Sequence, residues 1–198
     1  MTNEGRLKLL RAHEHRRMPW KNGGGVTTEI AVAPPDASLA SFDWRVSTAE
    51  VASDGAFSLF PGIDRTLLLL EGQGMRLQVG DRSPLTLVVG GEPAIFPGDS
   101  PASASLVDGP IRDLNVMTRR GHFSHSVSVV DFAGSTSLRA AADISLLLLR
   151  HGRISLHSPH GAAELEPGDA VIDEAARAGD PLRCEGAGVL YHVSILRA

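Results

Sequence analysis

Two runs of four leucines constrain what this chain can fold into more than any other feature. Thr66-Leu67-Leu68-Leu69-Leu70-Glu71-Gly72-Gln73-Gly74-Met75-Arg76-Leu77 is matched by Ser145-Leu146-Leu147-Leu148-Leu149-Arg150-His151-Gly152-Arg153-Ile154-Ser155-Leu156. Each run is too short to be a typical helix and is stopped by glycine, so each reads as strand, glycine turn, strand. A Pro-Gly-Asp triplet follows each, at Pro97-Gly98-Asp99 and Pro167-Gly168-Asp169, with the shorter connection in the second copy. Proline then glycine suits the centre of a type II turn. Further on, Leu114-Asn115-Val116 aligns with Tyr191-His192-Val193. The order of these three matches predicts two related β units, residues 1–121 and 122–198, divided between Gly121 and Leu138.

The rest of the chain agrees with an all-β reading. Its 21 glycines and 12 prolines punctuate short aliphatic segments. Trp44 to Val51, Arg112 to Met117 and Tyr191 to Ile195 alternate, as strands with two unlike faces do. Helix is expected only locally, from Leu138 to Asp143. Duplicated antiparallel units of this length fit double-stranded β-helix barrels of the jelly-roll class.

A second feature points to function. Met18-Pro19-Trp20-Lys21-Asn22-Gly23-Gly24-Gly25 sets an indole, a cation and an amide beside backbone without side chains. Three glycines lose the most chain entropy on ordering, so their place between Trp-Lys and a strand predicts positive φ or bare N–H groups facing a small polar ligand. Arg45 and Ser47 share one strand face, Asp64 and Arg65 open the strand of the first leucine run, and Asn115 lies on a third strand. Arginine offers a planar fork to a carboxylate, at about 1.5–3 kcal/mol for a charge-assisted bond. The same side chains in surface ion pairs would contribute about 0–1 kcal/mol. Arg45 interrupts an apolar strand, where a buried guanidinium must find Glu29, Asp64, Glu50 or a ligand. The candidate ligand-binding residues are therefore Trp20, Lys21, Asn22, Gly24, Arg45, Ser47, Asp64, Arg65 and Asn115.

Other chemistries have little support. His13-Glu14-His15 would put two imidazoles on one strand face, yet neither it nor the pairs His122/His125 and His157/His160 completes a metal shell. No metal, cofactor or catalytic residue is expected. There is no nucleophile elbow, P-loop or dinucleotide fingerprint. A net charge of -4 argues against a nucleic-acid partner. One cysteine, Cys184, excludes an internal disulfide. The stretch from Met1 to Arg17 has no apolar segment of the secretion-signal kind, and the aliphatic runs are too short to cross a bilayer. A cytoplasmic protein without a membrane partner is the expectation.

The motifs Pro-Trp-Lys-Asn-Gly-Gly-Gly (19–25), Trp-Arg-Val-Ser (44–47), Phe-Pro-Gly-Ile-Asp-Arg (60–65) and Asn-Val-Met (115–117) closely resemble the HutD/Ves family. The resemblance covers about two thirds of the chain and fades after Gly121. It implies a bicupin fold and, for histidine-utilisation members, a regulatory protein that binds an anionic intermediate such as N-formylglutamate or urocanate and limits pathway flux. N-formylglutamate carries two carboxylates and a formamide, which suit Arg45, Arg65, Lys21 and Asn115, with Trp20 as a wall. The second repeat has no counterpart of Trp20 to Gly25, so it is assigned a structural or homodimerising role. The alternative is a cupin isomerase or hydrolase acting on a similar carboxylate, with Asp64 or Glu29 as base and, in a metal-dependent form, a metal held by histidines.

Overall fold

The computed structural model describes residues 7–141 and 143–198 and divides them into two compact units. The N-terminal unit is Arg16–Ser124, and the C-terminal unit joins residues 7–15 to His125–Ala198. This differs from the expected 1–121 and 122–198. The first strand, β1 (Lys8–Leu10), pairs antiparallel with residues 170–172, and Leu7 and Leu9 pack on the core of the C-terminal unit. His13-Glu14-His15, expected on a strand, lies instead in and just after a 3-10 turn, Ala12–Glu14.

The N-terminal unit is built from β2 (Arg16–Pro19), β3 (Gly25–Ala33), β4 (Trp44–Val51), β5 (Gly55–Ala56), β6 (Ile63–Glu71), β7 (Met75–Val79), β8 (Leu85–Leu87), β9 (Ala94–Pro97), β10 (Ala102–Leu106) and β11 (Ile111–Arg119). They form one sheet in the order β2-β3-β4-β11-β6-β9 and another in the order β5-β10-β7-β8. Leu67 and Leu69 of the first sheet share a core with Leu77, Val79 and Ala104 of the second. Burial of each such leucine or valine side chain contributes roughly 1.5–3 kcal/mol.

The C-terminal unit uses longer strands. It adds β12 (Phe123–Arg139), β13 (Ile144–Ser158), β14 (Gly161–Leu165), β15 (Ala170–Asp173) and β16 (Pro181–Arg197) in a sheet of order β1-β15-β13-β16-β12, with β14 on β13. β13 stays paired to β16 through a bulge between Leu149 and His151. At Gly152 the two backbones come so close that a Cβ would run into the Ala187 carbonyl, and φ is +98°. Leu147 and Leu149 before this bend share a core with Ile154 and Leu156 after it. No α-helix occurs among the described residues. Of the segment expected to be helical, Leu138 and Arg139 end β12 and Ala142 lies outside the described residues.

The repeat is visible in the register. Leu67 lies opposite Asn115 and Ala94, and Leu147 lies opposite His192 and Val171. Asn115 and His192 are therefore equivalent, as the aligned segments predicted. The leucine runs correspond one residue further along, Leu67 to Leu147. The two Pro-Gly-Asp triplets are not equivalent, because Pro97 ends β9 whereas Pro167-Gly168-Asp169 precedes β15. Both lie in turns, closed by Ser100 N–H donating to the Pro97 carbonyl and by Asp169 N–H donating to the Glu166 carbonyl, but only the second has Pro-Gly at its centre, with Gly168 at φ +86°.

Candidate functional site

Strand register builds the site before any side chain is considered. Residues directly opposite in antiparallel strands share a face. Arg45 on β4 is opposite Met117 on β11, Met117 is opposite Arg65 on β6, and Arg65 is opposite Phe96 on β9. The next row is Ser47, Asn115 and Leu67, and the one after is Thr27, Ala49, Asp113 and Leu69. One sheet face thus carries two arginines, an amide and a carboxyl in adjacent rows.

These groups line a cavity of about 520 Å3 within the N-terminal unit, together with Trp20, Lys21 and Asn22 from the glycine loop. The loop is held by its own bonds. Trp20 Nε1–H donates to Thr27 Oγ1 at 2.8 Å, fixing the indole, and Asn22 Oδ1 accepts from Gly24 N–H at 3.1 Å. A Cβ on Gly25 would strike the Glu50 carbonyl and the Trp20 ring, so glycine lets the indole lie against the backbone. Gly23 adopts φ +71°, meeting the expectation for this loop.

The arginines sit in unlike settings. Arg45 Nε–H donates to Glu29 Oε2 at 2.6 Å, with both side chains nearly buried. Glu29 stands next to a bulge that shifts the β3–β4 register. Of the partners offered by the sequence, Glu29 is the one the fold selects. Arg65 is 2% exposed, and its guanidinium carbon lies 5.0, 5.5 and 5.1 Å from the ring centres of Phe57, Phe60 and Phe96. Such contacts contribute about 0.5–2 kcal/mol. Burial lowers its pKa to about 10, with Asp113 opposing the shift and Arg45 adding to it, so it stays charged at neutral pH.

Three buried polar atoms on this face have no partner: Arg65 Nε, Asp113 Oδ1 and Asn115 Oδ1. A buried unpaired polar group costs about 1–3 kcal/mol. Burial pushes the Asp113 carboxyl up to about 7, against the opposing effects of Arg65 and a hydrogen bond from the Ala49 backbone. The face therefore offers one donor and two acceptors to a small molecule.

Seven of the nine candidate residues line the cavity: Trp20, Lys21, Asn22, Arg45, Ser47, Arg65 and Asn115. Two do not. Asp64 precedes Arg65 on β6, so its side chain takes the opposite face, where it accepts from Arg120 Nε–H at 2.8 Å. The Cβ direction of Gly24 leads to Ser53 Oγ, away from the cavity. Asp113, Thr27, Phe57 and Phe60 are lining residues that the candidate set lacked. The alternation placing Asp113 two residues before Asn115 was the signal for the first. Among the described residues no group of three or more His, Cys, Asp or Glu stands together as metal ligands. None of their helices is long and apolar enough to cross a membrane.

The family model for HutD matches residues 12–191. The chain belongs to the HutD family. It is 36% identical over 150 residues to an uncharacterised 21.2 kDa protein in the hutC 3' region of Pseudomonas putida, covering 76% of this chain and 77% of that one. Protein Ves of Citrobacter koseri is 42% identical over 120 residues, 59% of this chain and 61% of that protein. The solved structure of HutD from Pseudomonas fluorescens SBW25, in a formate condition, is similar at a TM-score of 0.82 and 29% identity over 97% of this chain and 99% of that one. A cupin 2 conserved barrel domain protein from Leptotrichia buccalis shares the fold alone, at a TM-score of 0.54 and 10% identity over 92% of this chain and 96% of that one. This HutD-family chain is thus an all-β protein of cupin fold, in a family associated with histidine utilisation.

Proposed function

We propose that this HutD-family protein is a non-catalytic regulator that binds a small anionic metabolite in the cavity of its N-terminal unit. The observation that carries this reading is the Arg65 guanidinium, buried among three rings with Nε unpartnered and lining the cavity beside Arg45. A charge costs heavily to bury unless something answers it. A carboxylate would accept from Nε–H, with the fixed Trp20 indole as a wall and Lys21 as a second cation. N-formylglutamate and urocanate, the intermediates implied by the family resemblance, both carry such a group.

Isothermal titration of the purified protein with N-formyl-L-glutamate and with urocanate tests the reading. Wild type should bind at least one of them, and Arg65→Lys, which keeps the charge but lacks Nε and the fork, should bind roughly 10- to 100-fold more weakly. Absence of heat from both ligands, or equal affinity in a folded Arg65→Lys variant, contradicts it.

A second reading, an acid–base enzyme, draws on Asp113. A carboxyl raised to about 7 in a cavity has the acidity of a general acid or base at neutral pH. Asp64 is on the other face and Glu29 is bound to Arg45, so Asp113 replaces both as the candidate base. Turnover of either ligand by wild type, abolished in Asp113→Asn, would favour the enzyme.

A further inference from the structure

Arg45, Glu29, Arg65 and Asp113 stand in adjacent rows of the cavity face, two positive groups and two acids. Arg45 is answered by Glu29 through the 2.6 Å ion pair. Arg65 has the field of Asp113 to favour its charge, but its Nε has no hydrogen-bond partner. Among the strands of this sheet, β4 presents Ala49, Ser47 and Arg45 to this face, β6 presents Leu69, Leu67 and Arg65, β3 presents Thr27 and Glu29, and the edge strand β2 adds Met18 and the exposed Arg16, which lies opposite Glu29. The lining segment Ala56-Phe57-Ser58 has no titratable group, and Lys21 is exposed. Arg112, Glu50 and Glu71 alternate onto the opposite sheet face, where they pair with one another.

An anion accepting from Arg65 Nε–H upsets this balance. Asp113 then shares its cation with a second negative charge inside the same buried site. Two anions in one such site do not both stay ionised, and the one already held weakly takes a proton. Geometry favours Asp113 as that group. It is 1% exposed, Oδ1 has no donor, and two residues along the same face Asn115 Oδ1 lacks a donor too. A carboxylic acid O–H supplies the donor that this pair of oxygens is missing.

We propose that anion binding to this cavity is coupled to uptake of one proton by Asp113, whose carboxylic acid then donates a hydrogen bond to Asn115 Oδ1 or to a ligand oxygen. The proton comes from solvent and adds to the Asp113 carboxylate as an O–H, no other covalent bond changes, and the proton offsets the one ligand carboxylate held at Arg65. Affinity then rises as pH falls toward neutrality. The proposal rests on the reading of the cavity as an anion site.

The test is titration with N-formyl-L-glutamate at about pH 8 in buffers of different ionisation enthalpy, which counts the protons bound. Wild type should take up close to one proton per ligand. Asp113→Asn, already neutral, should still bind but take up almost none. Binding without proton uptake in wild type, or undiminished uptake in Asp113→Asn, overturns the coupling while leaving the anion site standing. If wild type binds only urocanate, the same titration is made with urocanate; binding of neither ligand overturns the anion reading and the coupling with it. Should Asp113→Asn fail to fold, infrared difference spectra of wild type decide. A protonated-carboxyl band that appears on binding supports the proposal, and its absence overturns it.

Discussion

In the N-terminal unit Arg65, Asn115 and Met117 occupy the strand positions that Ser145, His192 and Ser194 occupy in the C-terminal unit. Phe96 stands opposite Arg65, and Asp173 stands opposite Ser145. Both units therefore bury polar groups at one point of one pattern, but they satisfy them differently. Ser145 Oγ lies 2.7 Å from His192 Nε2, Ser194 Oγ lies 3.4 Å from the same nitrogen, and Asp173 bonds His160 Nδ1 at 2.8 Å and Ala175 N–H at 3.1 Å. In the N-terminal unit Arg65 Nε, Asp113 Oδ1 and Asn115 Oδ1 stay unpaired. A closed polar network specifies a core, whereas each unpaired buried group calls for an explanation, which the proposed anion supplies.

The equivalence of the two leucine runs carries the largest expected effect. Leu67→Ala and Leu147→Ala should each lose about 2–5 kcal/mol in chemical denaturation, because both empty a fully buried site of the same pattern. A negligible loss in one of them would break the comparison. Next, Ser145→Ala should cost about 1–3 kcal/mol by removing the close partner of His192 Nε2, while ligand affinity stays unchanged. Asn115→Ala should do the reverse, weakening binding with a smaller stability cost, since its Oδ1 has no bond to lose. Equal behaviour of the two variants would erase the distinction.

The pH dependence sharpens it further. Burial raises the folded Asp113 pKa from 3.8 to about 7, so ionisation costs stability as pH climbs between those values, and the full cost remains above about 7. Asp113→Asn should gain about 1 kcal/mol or more at about pH 8 and nothing at about pH 4. Burial lowers the folded His192 pKa below 6.5. Its neutral form therefore contributes stability that is complete above 6.5 and lost as pH falls below it. His192→Gln should flatten that acid-side decline in a series of thermal melts.

Much of this was legible in the sequence because strand alternation is strict. Arg45 and Ser47 fell on one face, and Asn115 aligned with His192, from spacing alone. The failures have the same origin. Asp64 and Arg65 are adjacent candidates at a strand opening, but neighbours on a strand point apart. The Pro-Gly-Asp triplets matched by composition, but one follows its strand and the other precedes its own. Asp113 stood in plain alternation with Asn115. Its distinction comes from burial and an unpaired oxygen, which depend on the strands on either side of it.

A crystal structure of the protein with bound N-formyl-L-glutamate decides whether the unpaired groups of the N-terminal unit form an anion site. Ligand density is expected in the N-terminal cavity, with a carboxylate oxygen accepting from Arg65 Nε–H and the Ser145–His192 contact unchanged. Ligand seated elsewhere, with Arg65 Nε still lacking an acceptor, would contradict it.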